Sequence, residues 1–339
     1  MEGALTRPSN RILPLLGIFL VTGGLFVVGW FAYLWLKPEP APYRYQLVEE
    51  GGVGKFDKLG LEAWPDLIIG KYEVRVESVD KPIAVAYRAT RGNAPPVLLN
   101  WESRISEQVI SIDSKLSELT TVATAIATHV PKEAVIFAWW DTSRQVRLLA
   151  DRDTLFTSHL GQPVIAPSYW RGRIGAIDKY EREFWGAPAP AEESRKFQRF
   201  ADALAADANE GVPMLRELAG PREAYLVVHI TDLYKLGLMH PKRLDMAFKD
   251  FPLTNVHGLA VQVKAWKKNN SYDTYMLQSL SEKVVRAYFL REGKNGKTLL
   301  AQILPFMDGP PLELQAVQLI YNHGGYWVYK IPPAQPSGG

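Results

Sequence analysis

At 339 residues, with 47% hydrophobic and 22% charged residues, the chain has the size of one large or two small globular domains with an apolar surplus. A formal charge of +3 with scattered basic residues, and no Lys/Arg block interleaved with aromatics, argues against a nucleic-acid partner. Cysteine is absent, which excludes disulfides, thiolate nucleophiles, iron–sulfur ligation and covalent attachment of c-type haem, and leaves the redox compartment open.

The first eleven residues form a short tail carrying Arg7 and Arg11, and Ile12–Leu36 follows as 25 residues without a charge. That run exceeds the ~20 residues a helix needs to cross a bilayer. Trp30, Tyr33 and Trp35 cluster at its far end, where amphipathic rings favour the interface. A cleaved signal peptide is the competing reading, but the run is too long and ends in no small-x-small site. The basic tail, set against Lys37 and Arg44 beyond the span, gives a slight positive-inside bias. Residues 1–11 are therefore expected in the cytoplasm, 12–36 as an inner-membrane anchor, and the remainder in the periplasm.

Residues 37–60 read as a Pro/Gly linker, stiff over Pro38, Pro40 and Pro42 and flexible at Gly51-Gly52-Val53-Gly54-Lys55. A phosphate loop is excluded there because no Ser or Thr follows the lysine. Residues 61–130 are expected to hold strands at Tyr72–Val79 and Ile83–Ala89, then a long helix from Glu102 to His129 with Ile105, Val109, Ile112, Leu116, Leu119 and Ala123 on one stripe. Val135–Trp140 reads as a buried strand, and Asp141-Thr142-Ser143 as the cap of a helix over Arg144–Ala150. Helices are expected at Ile174–Trp185, Glu192–Ala208 and Val212–Leu218, and a strand at Ala224–Ile230 with Asp232 just beyond it.

After Val256 the pattern reads as strands: Leu259–Trp266, Tyr272–Leu277, Val284–Leu290, Leu299–Pro305 and a closing hairpin from Leu314 to Ile331. Asn295-Gly296 and Asn322-His323-Gly324-Gly325 are the turn signals. Residues 332–339 are expected to be a disordered tail. The fold class is thus α/β with a β-rich C-terminal part, behind a single N-terminal transmembrane helix.

Among residues able to carry chemistry, the six histidines show no metal-ligand spacing, and neither a nucleophile elbow nor a dinucleotide fingerprint is present. No metal and no cofactor is expected. Tyr169-Trp170-Arg171-Gly172-Arg173 can form an aromatic-cationic rim, and Asp178, Glu181 and Glu183 an acidic or merely solvated helix face. Trp139-Trp140-Asp141 stands out. Two indole N–H donors and one carboxylate on a short arc suit gripping a hydroxyl, while a pair of core tryptophans beside a helix cap is the plainer alternative.

This run resembles the WWD motif that opens the C-terminal globular domain of oligosaccharyltransferase catalytic subunits. Asp232-Leu233-Tyr234-Lys235-Leu236-Gly237-Leu238-Met239 resembles their DxxKxxxM signature, and the similarity covers residues 131–331. The resemblance implies that Trp139, Trp140 and Asp141 hydrogen-bond a hydroxyl, with Asp232, Lys235 and Met239 completing the binding site. Thr142-Ser143 stand where that family has Tyr-Gly. The catalytic carboxylates of those enzymes sit in a multi-span membrane domain, which one span cannot supply.

As a whole, a single-span, cysteine-free chain carrying Phe137-Ala138-Trp139-Trp140-Asp141-Thr142-Ser143-Arg144-Gln145-Val146-Arg147-Leu148-Leu149 resembles the HaoB family of hydroxylamine oxidation proteins. That resemblance implies an accessory role beside the multihaem hydroxylamine oxidoreductase of ammonia- and methane-oxidising bacteria. The expected function is a non-catalytic peptide- or protein-binding module, with hydroxylamine oxidoreductase or another periplasmic protein as partner. The rivals are a glycosyltransferase-related subunit working with a multi-span protein, and a purely structural tether.

Overall fold

A computed structural model describes residues 12–36, 39–77, 79–105, 115–186, 189–253, 255–291, 297–307 and 316–333. The chain separates into two units, residues 1–41 and 42–339. The first contains helix α1 (Ile12–Leu36), whose segment Pro14–Tyr33 has a mean hydropathy of 2.2 and is long and apolar enough to cross a membrane.

The second unit is mixed α/β. Its elements in order are β1 (Tyr43–Gly52), β2 (Leu67–Val76), β3 (Ala84–Arg91), β4 (Val97–Ser103), α2 (Leu116–His129), β5 (Val135–Phe137), α3 (Trp140–Ala150), α4 (Ile174–Trp185), α5 (Ala191–Ala205), α6 (Ala208–Ala219), β6 (Ala224–His229), α7 (Asp232–Met239), β7 (Asp245–Pro252), α8 (Val256–Asn269), β8 (Thr274–Ser279), β9 (Val284–Arg291), α9 (Leu299–Ile303), β10 (Gln318–His323) and β11 (Tyr326–Ile331). Three sheets form, ordered β1-β2-β3-β4, β10-β11-β6-β5 and β7-β9-β8.

The second sheet positions the site. Its β5 and β6 run parallel, Phe137 opposite Leu226, while β11 pairs antiparallel with β6. Alternation sends Val135, Phe137, Leu226, Val228, Tyr329 and Ile331 into a core with Phe197, Phe200 and Leu215 of α5 and α6. The opposite side chains, Ile136, Tyr225, Val227, Tyr326 and Val328, pack with α2, α3 and the first sheet. Covered on both faces, these strands read as continuous apolar runs rather than alternating ones. Between α5 and α6 the backbones meet so closely that a Cβ on Gly211 would lie 2.3 Å from the Ala203 carbonyl oxygen.

Several expectations need correction. Residues 43–60 are not linker: Tyr43–Gly52 is a full strand against β2, and two 3-10 turns follow. The helix expected from Glu102 starts at Leu116, because Glu102 and Ser103 still pair with β3; Val109 and Ile112 lie outside the described residues. Leu259–Trp266 is helix α8, not strand. Leu259 and Val263 bury at i,i+4, and the Asn255 side chain caps the helix by accepting the Gly258 N–H at 2.6 Å. Leu299–Ile303 is likewise helical, capped by Thr298, and β4 and β7 were not foreseen. The closing hairpin forms over 318–331 and turns at Gly324-Gly325, whereas Asn295-Gly296, Leu314 and the tail from 334 lie outside the described residues.

Glu181 also departs from the acidic face expected on α4. It turns inward to accept from Tyr43 Oη, from Tyr45 Oη at 2.8 Å and from Trp185 Nε1 at 2.7 Å, tying α4 to β1. Burial raises its carboxyl above the ordinary range in spite of these donors. Asp178 and Glu183 do stay at the surface, paired with Arg182 and Lys179.

Candidate functional site

Parallel pairing of β5 and β6 places the ends of both strands on one edge of the sheet, so the segments that follow them meet although 94 residues separate Asp141 from Lys235. After β5 the chain stays extended through Trp139 and enters α3, with the Ser143 N–H donating to the Trp139 carbonyl at 2.7 Å and Ser143 Oγ to the Ala138 carbonyl at 3.0 Å. After β6 it turns at Thr231 into α7, whose first residue is Asp232. Positions 232 and 235 are one turn apart and share a helix face.

Lys235 is the hub. Its Nζ lies 2.8 Å and 3.1 Å from the two Asp141 oxygens and 3.2 Å from Asp232 Oδ1. The Thr142 N–H donates to Asp141 Oδ1 at 2.7 Å, and the His229 N–H to Asp232 Oδ2 at 2.9 Å. Two carboxylates thus share one ammonium and leave one excess negative charge. The side chains of Asp232 and Lys235 are 1% and 11% exposed, whereas that of Asp141 is 39% exposed.

Environment separates the two acids. Burial pushes both carboxyls up, but at Asp141 the Lys235 charge and the Thr142 N–H outweigh it and leave the group below the carboxylate range. At Asp232 burial wins over Lys235, the Asp141 charge adds to it, and the carboxyl rises to about 6. Burial draws the Lys235 ammonium down, yet its two carboxylates hold it above the usual value.

The indoles do not complete the expected three-part grip. Trp139 is 1% exposed, packed edge-on against Phe197, and its Nε1 finds no acceptor among the described residues. Lys235 Nζ lies 5.6 Å from its ring centroid, so its contribution to the cluster is a cation–π face. Trp140 Nε1 already donates to the Gln162 carbonyl at 2.5 Å, and its ring meets His159 edge-on at 4.4 Å. Asp141 lies in the first turn of α3 and accepts the N–H of its neighbour rather than that of a residue two or three ahead, so it is no N-cap. Met239 is partly buried against the main core, at the far end of α7 from the ion pairs.

Sequence reasoning missed His229. It is 2% exposed; its Nδ1 lies 2.7 Å from Thr231 Oγ1 and 3.3 Å from the Thr231 amide nitrogen, and its Nε2 has no partner among the described residues. Burial and the Lys235 charge lower it to about 3, so it is neutral throughout the physiological range. Its place at the end of a buried strand, three residues before Asp232, was the available signal. No group of three or more His, Cys, Asp or Glu able to hold a metal occurs among the described residues.

The arrangement offers an anionic acceptor, fixed in orientation by Lys235 and Thr142, with its outer edge open to solvent. Among solved structures, the C. jejuni PglB C-terminal domain is similar at a TM-score of 0.36 and 13% identity, covering 63% of this chain and 99% of that one. No curated protein matches. The family model described as HaoA-associated protein HaoB matches residues 9–331, nearly the full length, and the chain belongs to that family.

Proposed function

We propose that this chain is a membrane-anchored accessory protein of hydroxylamine oxidation that associates with HaoA, the hydroxylamine oxidoreductase, and acts by binding rather than catalysis. Family membership across residues 9–331 carries this reading. The uncharged helix Ile12–Leu36 anchors the chain in the inner membrane, and the basic tail before it favours a periplasmic domain.

The Trp139-Trp140-Asp141 and Asp232–Lys235 segments form the binding site, but with Asp141 as its single contact group. The tryptophans and Lys235 hold that carboxylate in place, Asp232 holds Lys235, and Met239 supports α7 from the core. A hydroxyl, an amide N–H or a cationic side chain of the partner is received at the open edge of Asp141.

Capture of HaoA on the full-length chain in detergent tests both parts. Asp141→Asn removes the charge from a partly exposed pair, so stability should fall by only about 0–1 kcal/mol. Losing a charge-assisted hydrogen bond to the partner should weaken capture roughly ten- to a hundredfold, or about 1.5–3 kcal/mol. Absence of HaoA from the wild-type eluate would refute the association. Equal capture by wild type and variant would instead remove Asp141 from the interface.

A further inference from the structure

One turn along α3 from Asp141 lies a cleft of about 630 Å³ that no sequence motif marks. Its walls are Ala94, Pro95 and Val97 ahead of and within β4, Leu148 of α3, and Trp185 at the end of α4. Polar groups enter from Arg144 and His159. Arg144 is 4% exposed and His159 8%. Arg144 Nη2 donates to the carbonyls of Pro96 and Trp185, but its Nε and His159 Nδ1 find no partner among the described residues.

Among the described residues no carboxylate is bonded directly to Arg144. Asp141 and Glu193 are the carboxylates whose charge reaches it, yet Asp141 is bonded to Lys235 and Glu193 is held by Thr157 and Ser158. Arg91 and Arg147 at the rim already pair with Asp66 and Asp153, and Asp151 at the mouth is exposed to screening solvent. Burial lowers the Arg144 guanidinium only to about 10, so the group stays charged. A nearly buried cation satisfied by neutral carbonyls alone is costly, and a planar anion that forks onto guanidinium removes the cost. His159, lowered to about 3 by burial and by Arg144, adds no second charge. A single positive centre among Trp185, Pro95 and Leu148 suits a monoanion on an apolar body.

We propose that this cleft binds a carboxylate attached to an apolar group, with Arg144 as the anion-binding residue. The carboxylate is either that of a small organic acid or the free C-terminus of a peptide. The inference does not rest on the HaoA association: Arg144 and His159 make no bond to Asp141 or Lys235, although His159 touches Trp140.

The test titrates the full-length protein in detergent with 3-phenylpropionate, with N-acetyl-glycyl-phenylalanine, and with the corresponding amides, followed by calorimetry. Saturable binding of at least one acid below about 10 mM is expected, with its amide at least about tenfold weaker. The tighter acid identifies the source of the carboxylate. Arg144→Lys keeps a cation without the fork and should weaken the acid at least about tenfold. Because Arg144 also bonds two carbonyls, Ala94→Trp serves as a second variant: position 94 is exposed, so a large ring there blocks the cleft without entering the core. Acid binding that survives both substitutions in folded protein, equal binding of acid and amide, or no saturable binding of either acid would overturn the assignment.

Discussion

Replacing Lys235 with methionine keeps the length and apolar stem of the side chain and removes only its charge. Asp232 then stays 1% exposed with no cation beside it. At 3.2 Å and an effective dielectric of about 20, the lost attraction is about 5 kcal/mol, and removing one partner of a buried pair costs about 3–5 kcal/mol in practice. The second pair, to the partly exposed Asp141, adds no more than about 1 kcal/mol. The cost depends on pH because Asp232 can escape it by taking up a proton. Its folded value, already raised to about 6 by burial, rises further without the ammonium, toward the ~8 documented for buried acids.

An acid whose folded value exceeds its unfolded value of about 3.9 stabilises the fold at low pH and loses that contribution as pH climbs through the folded value. Wild type completes the loss near pH 6 and the variant near pH 8, so the deficit grows across that window by about 1.4 kcal/mol per unit, or roughly 2–3 kcal/mol in all. Urea titration of both full-length proteins in detergent at pH 5 and pH 8 measures it. Equal deficits at the two pH values, or one below about 1 kcal/mol at pH 8, would refute the view that Lys235 neutralises a buried carboxylate.

Glu181→Gln should destabilise by about 1.5–3 kcal/mol, because the glutamine amide cannot accept from Tyr43, Tyr45 and Trp185 together. Burial raises the folded value of Glu181, so its contribution is present at low pH and lost as pH rises; the gap between wild type and variant should narrow with pH in thermal melts, and a widening gap would contradict the sign. Protease added to intact spheroplasts should digest the chain beyond residue 40, since the basic tail favours the cytoplasm; full protection would reverse the orientation. A fragment starting at residue 131 should fail to give a cooperative unfolding transition, because it exposes the Ile136, Tyr225 and Val227 face that β2, β3 and α2 cover.

The strands β5 and β6 and the helices over 174–185, 191–205 and 208–219 were legible, within a few residues at their ends, from apolar runs and helical spacing bounded by turn residues. Asp232 and Lys235 were legible only through the resemblance to the DxxKxxxM signature, and Asp141 by its company with two tryptophans. Their mutual ion pairing was not, because it depends on β5 and β6 being neighbours, a fact of topology that no local pattern encodes. Nor could sequence show that Trp139 faces the core while Trp140 spends its N–H on Gln162, since adjacent residues at a strand end diverge according to the turn that follows. Helix α8 was misread because Leu259, Val261 and Val263 satisfy an alternating pattern as well as a helical one; the capping Asn255 was the feature that discriminates. β1 was missed because its glycines mark the strand's end, and its apolar side chains Leu47 and Val48 remain exposed.

The placement of α3 explains why the N-terminal sheet and the signature segments fold as one unit. Thr142, Ser143, Arg144 and Gln145 form a consecutive polar stretch that is almost wholly buried, an arrangement a helix tolerates only if other elements supply partners. β4 and the residues before it do so: Gln145 Nε2 donates to the Leu98 carbonyl at 2.9 Å and Arg144 to that of Pro96, while Trp64 Nε1 donates to the Leu149 carbonyl at 2.7 Å. These bonds run from side chains to backbone, so they fix the distance between sheet and helix without depending on side-chain identity in β4. The same docking leaves Asp141 at the open start of α3 and turns Arg144 toward the cleft one helical turn later. Removing the first sheet would therefore strip α3 of its polar partners and unseat both groups at once, and residues 61–130 are a structural condition of the site rather than a spacer before it.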